Sequence, residues 1–433
     1  MHELTELIRQ DMKPALGVTE PGAIAFAVAE ARRHTHGPVR RIVLRLNSGM
    51  FKNAFTCGIP GSSEVGNAHA AALGAVGADP DKGLECLDGV TQEQARQAKE
   101  MVAAGMVQVE VAGISSRIFI QATVETGEGE ASVTIQDAHT HIVRITENGR
   151  TVWEEPGLAG SPEDTGEATP LIHRYTLAQL REYALTVPAE ELAFIRRAFE
   201  MNLALCQAGL DSPRTTYARY LLAENSGQLI SRDERATASL LCNGAIEARV
   251  LGLPQPAMSI TGSGAHGIIA TMPLYAAYRV QGYPEEKLLR AAALSYLVCM
   301  YIKEYSGKLS AFCGCAIAAG TGMACGLVLL RDGGEDAMAR TIRNMASSIT
   351  GMICDGGNQG CTMKGVVAVD AAWRSAGMAL HGAAIAPVHG INGPTPEQTM
   401  RNMGRIASPG MTGTEKTIVE IFDAKQKKRG GHA

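Results

Sequence analysis

The stretch "LSAFCGCAIAAGTGMACGLVLL", Leu309 to Leu330, runs without a charge between Lys308 and Arg331. It is long enough to cross a bilayer. It is also rich in Gly, Ala and Cys rather than Leu and Ile, and no second span accompanies it. The better reading is a buried helix of small residues inside a soluble core. That choice sets the fold class for everything around it. Beyond Tyr175 the chain is rich in Ala and Leu, and its helical patterns are broken by glycine clusters at 262–267, 320–326 and 356–360. An all-α region with functional loops between its helices is expected over residues 166–433.

Toward the N-terminus the pattern changes. Thr19-Glu20-Pro21 opens a helix with proline in its first turn. "RRIVLRLN" (Arg40 to Asn47) alternates apolar and charged residues as a half-buried strand does. "MVQVEVAG", "RIFIQATVET" and "ASVTIQDAHTHIVRIT" (Ala131 to Thr146) repeat the alternation between short turns. An antiparallel sheet with helices on one face is predicted, giving an α+β chain whose first domain covers residues 1–165. The acidic, Gly- and Pro-rich "EEPGLAGSPEDTGEATP" (Glu154 to Pro170) reads as the linker.

Composition excludes several function classes. The 433 residues carry a formal net charge of −4, so no basic footprint points to nucleic acid. The opening "MHELTELIRQDMKPALG" has no apolar signal-peptide core. With ten cysteines, this points to a reducing, cytoplasmic setting. No membrane partner is expected, and assembly into a homo-oligomer is left open. Cys86, Cys206, Cys242 and Cys299 lie in ordinary helical patterns and read as small core residues.

Cys313 and Cys315, Cys325, and the pair Cys354 and Cys361 in "CDGGNQGC" are different. Disulfides, a four-cysteine zinc site, an iron–sulfur cluster and simple core packing compete. C-x-C with C-x6-C fits structural zinc poorly, whereas iron–sulfur clusters tolerate uneven spacing. Spacing alone leaves core packing level with a metal. Gly356, Gly357 and Gly360 shift the balance, because glycine lets a loop turn sharply and pass close to an inorganic group.

Together, "KNAFTCGIPG", "DAHTHIV", "GSGAHGIIATMP", "LSAFC" and "GMICDGGNQGCTMK" resemble the L-cysteine desulfidase family, which is related to the α chain of iron–sulfur L-serine dehydratases. The similarity runs essentially end to end and in the same order. It implies a [4Fe–4S] cluster on three cysteines, one iron left for substrate, and α,β-elimination to pyruvate and ammonia. Carried over, the ligands are Cys313, Cys354 and Cys361, with Cys315 the alternative to Cys313 and Cys325 assigned to the core. The family's G-C-T-E-P motif reads "GVTEP" here. Val18 can neither take a proton nor bind iron, so the base lies elsewhere or the substrate differs.

Other residues complete the expected site. "TGSGAHGIIATMP" is a Gly-rich turn feeding a helix, whose free amides suit a carboxylate or amine held by Ser263, Gly264 and His266. Lys52 and Asn53 precede a Gly/Pro loop, where Lys52 is a catalytic candidate and Asn53 a substrate contact. Cys57 in that loop is a candidate for the thiol missing at Val18. His139 and His141 are placed on one strand face, with His139, on the resemblance, the proton carrier. Lys364 follows Cys361 by three residues and lies near the cluster if a helix starts there, as carboxylate ligand or base. Glu20 is a further base candidate. The expected activity is elimination on a small amino acid, L-cysteine first. The alternatives are L-serine deamination, a non-catalytic iron–sulfur sensor and a zinc-stabilised structural protein.

Overall fold

Alternation along Val39–Asn47 buries Ile42, Leu44 and Leu46 while Arg41 and Arg45 face solvent, and this segment organises the N-terminal sheet. The computed structural model describes residues 1–156 and 169–430. Most of the predicted linker, residues 157–168, lies outside the described residues. Helix α1 (Glu3–Asp11) is followed by β1 (Lys13–Leu16), α2 (Thr19–Arg33), β2 (Val39–Asn47), α3 (Ser48–Ala54), α4 (Asn67–Val76) and α5 (Gln92–Ala103). Strands β3 (Val107–Gly113), β4 (Phe119–Thr126), β5 (Glu130–Gln136), β6 (Ile142–Glu147) and β7 (Arg150–Glu154) come next. The sheet order is β3-β2-β4-β5-β6-β7. Every pair is antiparallel except β2 with β3, whose parallel pairing requires the crossover that α3 to α5 supply. Helix α2 packs on β4 and β5, and α4 on α2, so the helices cover one face as the alternation predicts.

One strand reading is corrected. Ala131 to Thr146 is not a single strand, because Asp137 adopts φ 63° and Ala138 and His141 close a tight turn. The hairpin turn therefore carries both histidines. His139 is buried, whereas His141 lies on the partly exposed side and contacts Glu155, so the two do not share a face.

The second half is helical: α6 (Leu177–Thr186), α7 (Arg196–Asp211), α8 (Tyr217–Glu224) and α9 (Glu234–Val250), then α10 (Gly264–Gln281), α11 (Glu285–Ser306), α12 (Gly320–Leu330) and α13 (Glu335–Ile349). Helices α14 (Gly360–Leu380), α15 (Pro396–Arg405) and α16 (Thr412–Gly430) complete it. One short strand, β8 (Pro256–Ser259), interrupts the run and pairs antiparallel with β1. No strand pattern marks these four residues in the sequence. This pairing ties the start of α2 to the turn that opens α10.

The uncharged 309–330 stretch folds as irregular chain up to Gly314, a widened π-type turn over Cys315–Ala319, and then α12. All of α12 is buried, with α10, α11, α13 and α14 packed around it. Its glycines explain the small-residue composition. A Cβ at Gly322 would sit 2.2 Å from the Ser295 carbonyl oxygen, so α11 approaches α12 only because no side chain intervenes. Among the described residues no helix is long and apolar enough to cross a membrane.

Candidate active site

Two backbone segments set the sulfurs opposite one another. Phe312 and Ile353 form an antiparallel bridge. Beside it, the Cys354 amide donates to the Ala311 carbonyl at 2.6 Å and the Cys313 amide to Met352 at 3.0 Å. Cys361 lies in the first turn of α14, its Sγ 3.4 Å from the Gly356 carbonyl oxygen. Cys354 and Cys361 each feel the charge of Cys313, and Cys361 also that of Cys354. Burial raises the pKa of Cys354 and pushes that of Cys361 up to about 11. Cys313 is lowered by hydrogen bonding from the Cys315 thiol, with the Ala316 amide and the Lys364 charge adding to it. Cys315 joins the same group, since Cys313, Cys354 and Cys361 all act on it. Cys325 has no such neighbour and is raised to about 12 by burial alone.

The glycine loop is shaped by close approach. Gly356 has φ 97°, and a Cβ there would meet the Lys52 carbonyl oxygen at 2.3 Å. The Gly357 amide donates to Asn53 O at 2.9 Å. Asn358, which drew no notice in the sequence, braces the turn. Its amide donates to the carbonyls of Asp355 and Gly356 at 3.2 and 3.3 Å, and its Oδ1 accepts from Gly360 N at 2.7 Å. Lys364 pairs with Asp355 and closes the loop onto α14. Val18 lies 2.9 Å from where a Gly357 Cβ would be, so the position that differs from the resembled motif abuts this loop.

Helix α3 delivers Lys52 and Asn53 to the loop's other side. The Lys52 ammonium is fully buried and donates to Ser310 O at 3.0 Å, Cys354 O at 2.9 Å and Glu415 Oε2 at 2.9 Å. Asn53 bridges two groups: its amide donates to Glu20 Oε1 at 2.8 Å, and its Oδ1 lies 3.8 Å from Cys354 Sγ. Glu20 is buried in the first turn of α2, where Thr19 also donates to it at 3.0 Å. Burial alone would raise its pKa, but His139, the Asn53 amide and the Arg249 charge more than reverse that and hold it at about 2. His139 Nε2 stands 3.9 Å from Glu20 Oε1, too far for a hydrogen bond. Cys57 is buried, and its pKa is raised well above the ordinary value by burial and by the Glu20 charge.

The turn before α10 supplies the remaining wall. Ser263 is the N-cap residue of α10 and makes no side-chain capping bond. Gly262 lies against the His139 ring, a Cβ there reaching Cε1 at 3.4 Å. The Thr261 hydroxyl donates to Ile260 O at 2.8 Å and lies 2.5 Å from His266 Nδ1. With the hydroxyl proton committed to Ile260, we assign the ring proton to Nδ1 and leave Nε2 bare. A Cβ at Gly314, between Cys313 and Cys315, would lie 2.7 Å from that Nε2. Burial, then Lys303 and Arg249, push the His266 pKa well below its usual value, so the ring is neutral. Lys303 and Arg249 are buried cations that the sequence reading passed over. Each sits in the last turn of a long helix, α11 and α9, where a charged residue ordinarily faces solvent.

A cleft of about 120 Å³ reaches His139 and Gly262 from the surface, lined also by Asp11, Lys13, Asp137 and Lys308. The structure thus brings Asn53, Glu20, His139, Ser263, Gly264 and His266 to one side of the cysteine loops. Lys52 and Lys364 instead lie within the loops' own supports.

Among the described residues no three His, Cys, Asp or Glu side chains are spaced to grip a single metal ion. A four-iron cube makes a different demand, because its thiolates bind separate irons. Three mutually interacting thiols on two bridged loops, with Lys364 acting on all three, match that donor chemistry.

Comparison with known proteins places the chain among relatives of matching length. It is 40% identical to a UPF0597 protein of Clostridium botulinum over 430 residues, 98% of this chain and 99% of that protein. A UPF0597 protein of Oleidesulfovibrio alaskensis is 36% identical, covering 97% of both chains. One from Caldanaerobacter subterraneus is 34% identical, covering 98% of both. The sequence profile described as serine dehydratase alpha chain matches residues 81–420, a span that includes all three candidate thiols and the α10 turn. The chain belongs to the serine dehydratase alpha chain family.

Proposed function

We propose that this protein is a [4Fe–4S]-dependent cytoplasmic lyase that eliminates the β-substituent of a small amino acid, L-cysteine first and L-serine as the alternative substrate. The observation that carries the reading is the meeting of Cys313, Cys354 and Cys361 beside the buried Glu20–Asn53 bridge and the opening turn of α10. Cys313, Cys354 and Cys361 would hold the cluster, which supplies a Lewis-acidic iron suited to a thiolate leaving group.

The reaction breaks the Cα–H and Cβ–S bonds of cysteine and forms a Cα–Cβ double bond. The resulting enamine tautomerises to an imine, and water releases pyruvate and ammonia beside hydrogen sulfide. The chain's own groups must take one proton, bind two charged termini and keep water out. His266 is buried and neutral, with Nε2 free to accept a proton. His139 lies at the floor of the cleft, next to the ionised Glu20, where it can relay that proton outward. Gly264 offers the first uncapped amide of α10 to the substrate carboxylate, and Ser263, whose own amide donates to the Ile260 carbonyl, offers its hydroxyl, which makes no capping bond. Asn53 fixes the distance between Glu20 and Cys354. Lys52 and Lys364 act as positioning residues, one fastening the Ser310 and Cys354 carbonyls and the other the Asp355 side chain.

Anaerobic reconstitution with iron and sulfide tests the reading. Broad visible absorption, together with pyruvate and sulfide from L-cysteine or pyruvate from L-serine, is the expected result. A cluster-loaded protein that turns over neither amino acid would remove the lyase assignment.

A further inference from the structure

Arg249, near the C-terminal end of α9, is only 4% exposed. Among the described residues its guanidinium has no hydrogen bond and no carboxylate in ion-pair contact, and Nε is wholly buried without a partner. A buried, always-charged group left in that state is strongly unfavourable unless a ligand completes it. Its place is specific. A Cβ at Gly264 would lie 2.7 Å from Arg249 Nε and 3.2 Å from Cδ, so glycine at the first residue of α10 is what lets the guanidinium lie against that helix end. The helix is 18 residues long and its N-cap makes no side-chain capping bond, so its first amides point toward the same spot. Two positive features therefore converge with no anion between them.

The opposite charge is near but not in contact. Arg249 acts on Glu20 through space, yet no ion pair joins them. Glu20 is held by Asn53 and Thr19 rather than by a cation at hydrogen-bond distance. An unpaired guanidinium and an ionised carboxylate fixed apart in one buried site match the two ends of an α-amino acid zwitterion. Phosphate or a dicarboxylate would bring excess negative charge against Glu20.

We propose that Arg249, with the amide end of α10, is the anchor for the α-carboxylate of the amino-acid ligand, and that Glu20 faces its ammonium group. This rests on the amino-acid-lyase reading for the ligand's class. Arg249 was not among the residues that the sequence singled out, because a lone arginine inside "NGAIEARVLG" has no motif around it.

L-alanine tests the anchor without turnover, since it has both charged ends and no leaving group. Calorimetric titration of anaerobic holoprotein should show L-alanine binding, competition by propionate, and no competition by ethylamine. Arg249→Met should weaken L-alanine by about 30-fold or more, the usual result of truncating a buried charge partner. Arg249→Lys should retain part of the affinity. The ligand-free melting temperature of Arg249→Met should equal or exceed that of the unsubstituted protein, because an uncompensated buried charge has been removed. An arginine with a merely structural role would lower it instead. Unchanged L-alanine affinity in Arg249→Met, or in Arg249→Lys should the methionine variant not fold, overturns the proposal. So does wild-type protein that binds ethylamine as well as L-alanine. Pyruvate production with an unchanged KM in Arg249→Met would sink the anchor while leaving the lyase reading intact. L-alanine binding through Arg249 without turnover of cysteine or serine would do the reverse.

Discussion

Replacing Lys52 by Met removes an ammonium that holds three groups at once. Glu415 Oε2 is 2.9 Å away, Cys354 O 2.9 Å and Ser310 O 3.0 Å, and none of these bonds is open to water from the lysine side. Glu415 is itself buried, and among the described residues its Oε1 has no hydrogen-bond partner. Breaking a buried pair by deleting one member costs about 3–5 kcal/mol. The two carbonyls add about 1 kcal/mol or more each if left dry. Lys52→Met is therefore expected to lose about 5–7 kcal/mol, and the double variant Lys52→Met/Glu415→Leu only about 1–3 kcal/mol, because no charge is then stranded. Urea unfolding followed by far-UV circular dichroism measures both. Limited proteolysis adds a local readout, since Glu415 lies on α16, which packs on α3. The single variant should expose α16 to cleavage, and the double should protect it again. A single variant as stable as the parent, or a double variant no better than the single, would refute the staple. Lost turnover at full stability would place Lys52 against substrate instead.

Three further outcomes follow from the same geometry. Glu20 has its folded pKa depressed from 4.5 to about 2. Its contribution, about 3 kcal/mol at one pKa unit per 1.36 kcal/mol, is therefore present above pH 4.5 and lost as pH falls toward 2. An acid titration of stability should be shallower between those limits in Glu20→Gln, and identical slopes would contradict the depressed value. Gly267→Ala should be severely destabilising, by more than about 3 kcal/mol, because its Cβ would lie 1.9 Å from the Met258 carbonyl oxygen of β8. Near-parental thermal stability would count against this packing of α10 on β8. Serine at Cys313, Cys354 or Cys361 should each reduce bound iron after reconstitution, whereas alanine at Cys325 or Cys206 should leave it unchanged. Iron content by colorimetric assay decides, and equal iron in all five variants would rule out the assigned ligands.

Local patterns made the elements legible where one face or all faces are apolar. Arg40 to Asn47 announced β2 through period-two alternation, and the charge-free run ending at Leu330 announced a helix surrounded by others. The hairpin at Asp137 to His141 was hidden because "DAHTH" continues the alternation of its neighbours. Only the positive φ of Asp137 breaks it. Strand β8 is four residues long and exists because β1, more than two hundred positions earlier, pairs with it. Short strands of that kind take their conformation from a partner rather than from their own residues.

The sequence by itself determined the α+β class, the sulfur-bearing glycine loop and the helix-opening turn at Ser263, because each is written in neighbouring residues. Only the tertiary structure decided which charges are solvated and which are stranded. Lys52 and Arg249 are both cations in the last turn of a helix, yet among the described residues one has three partners and the other none. Desolvation and pairing depend on what distant segments place alongside, here α16 and the cysteine loops for Lys52 and the end of α10 for Arg249. No local pattern encodes that neighbourhood.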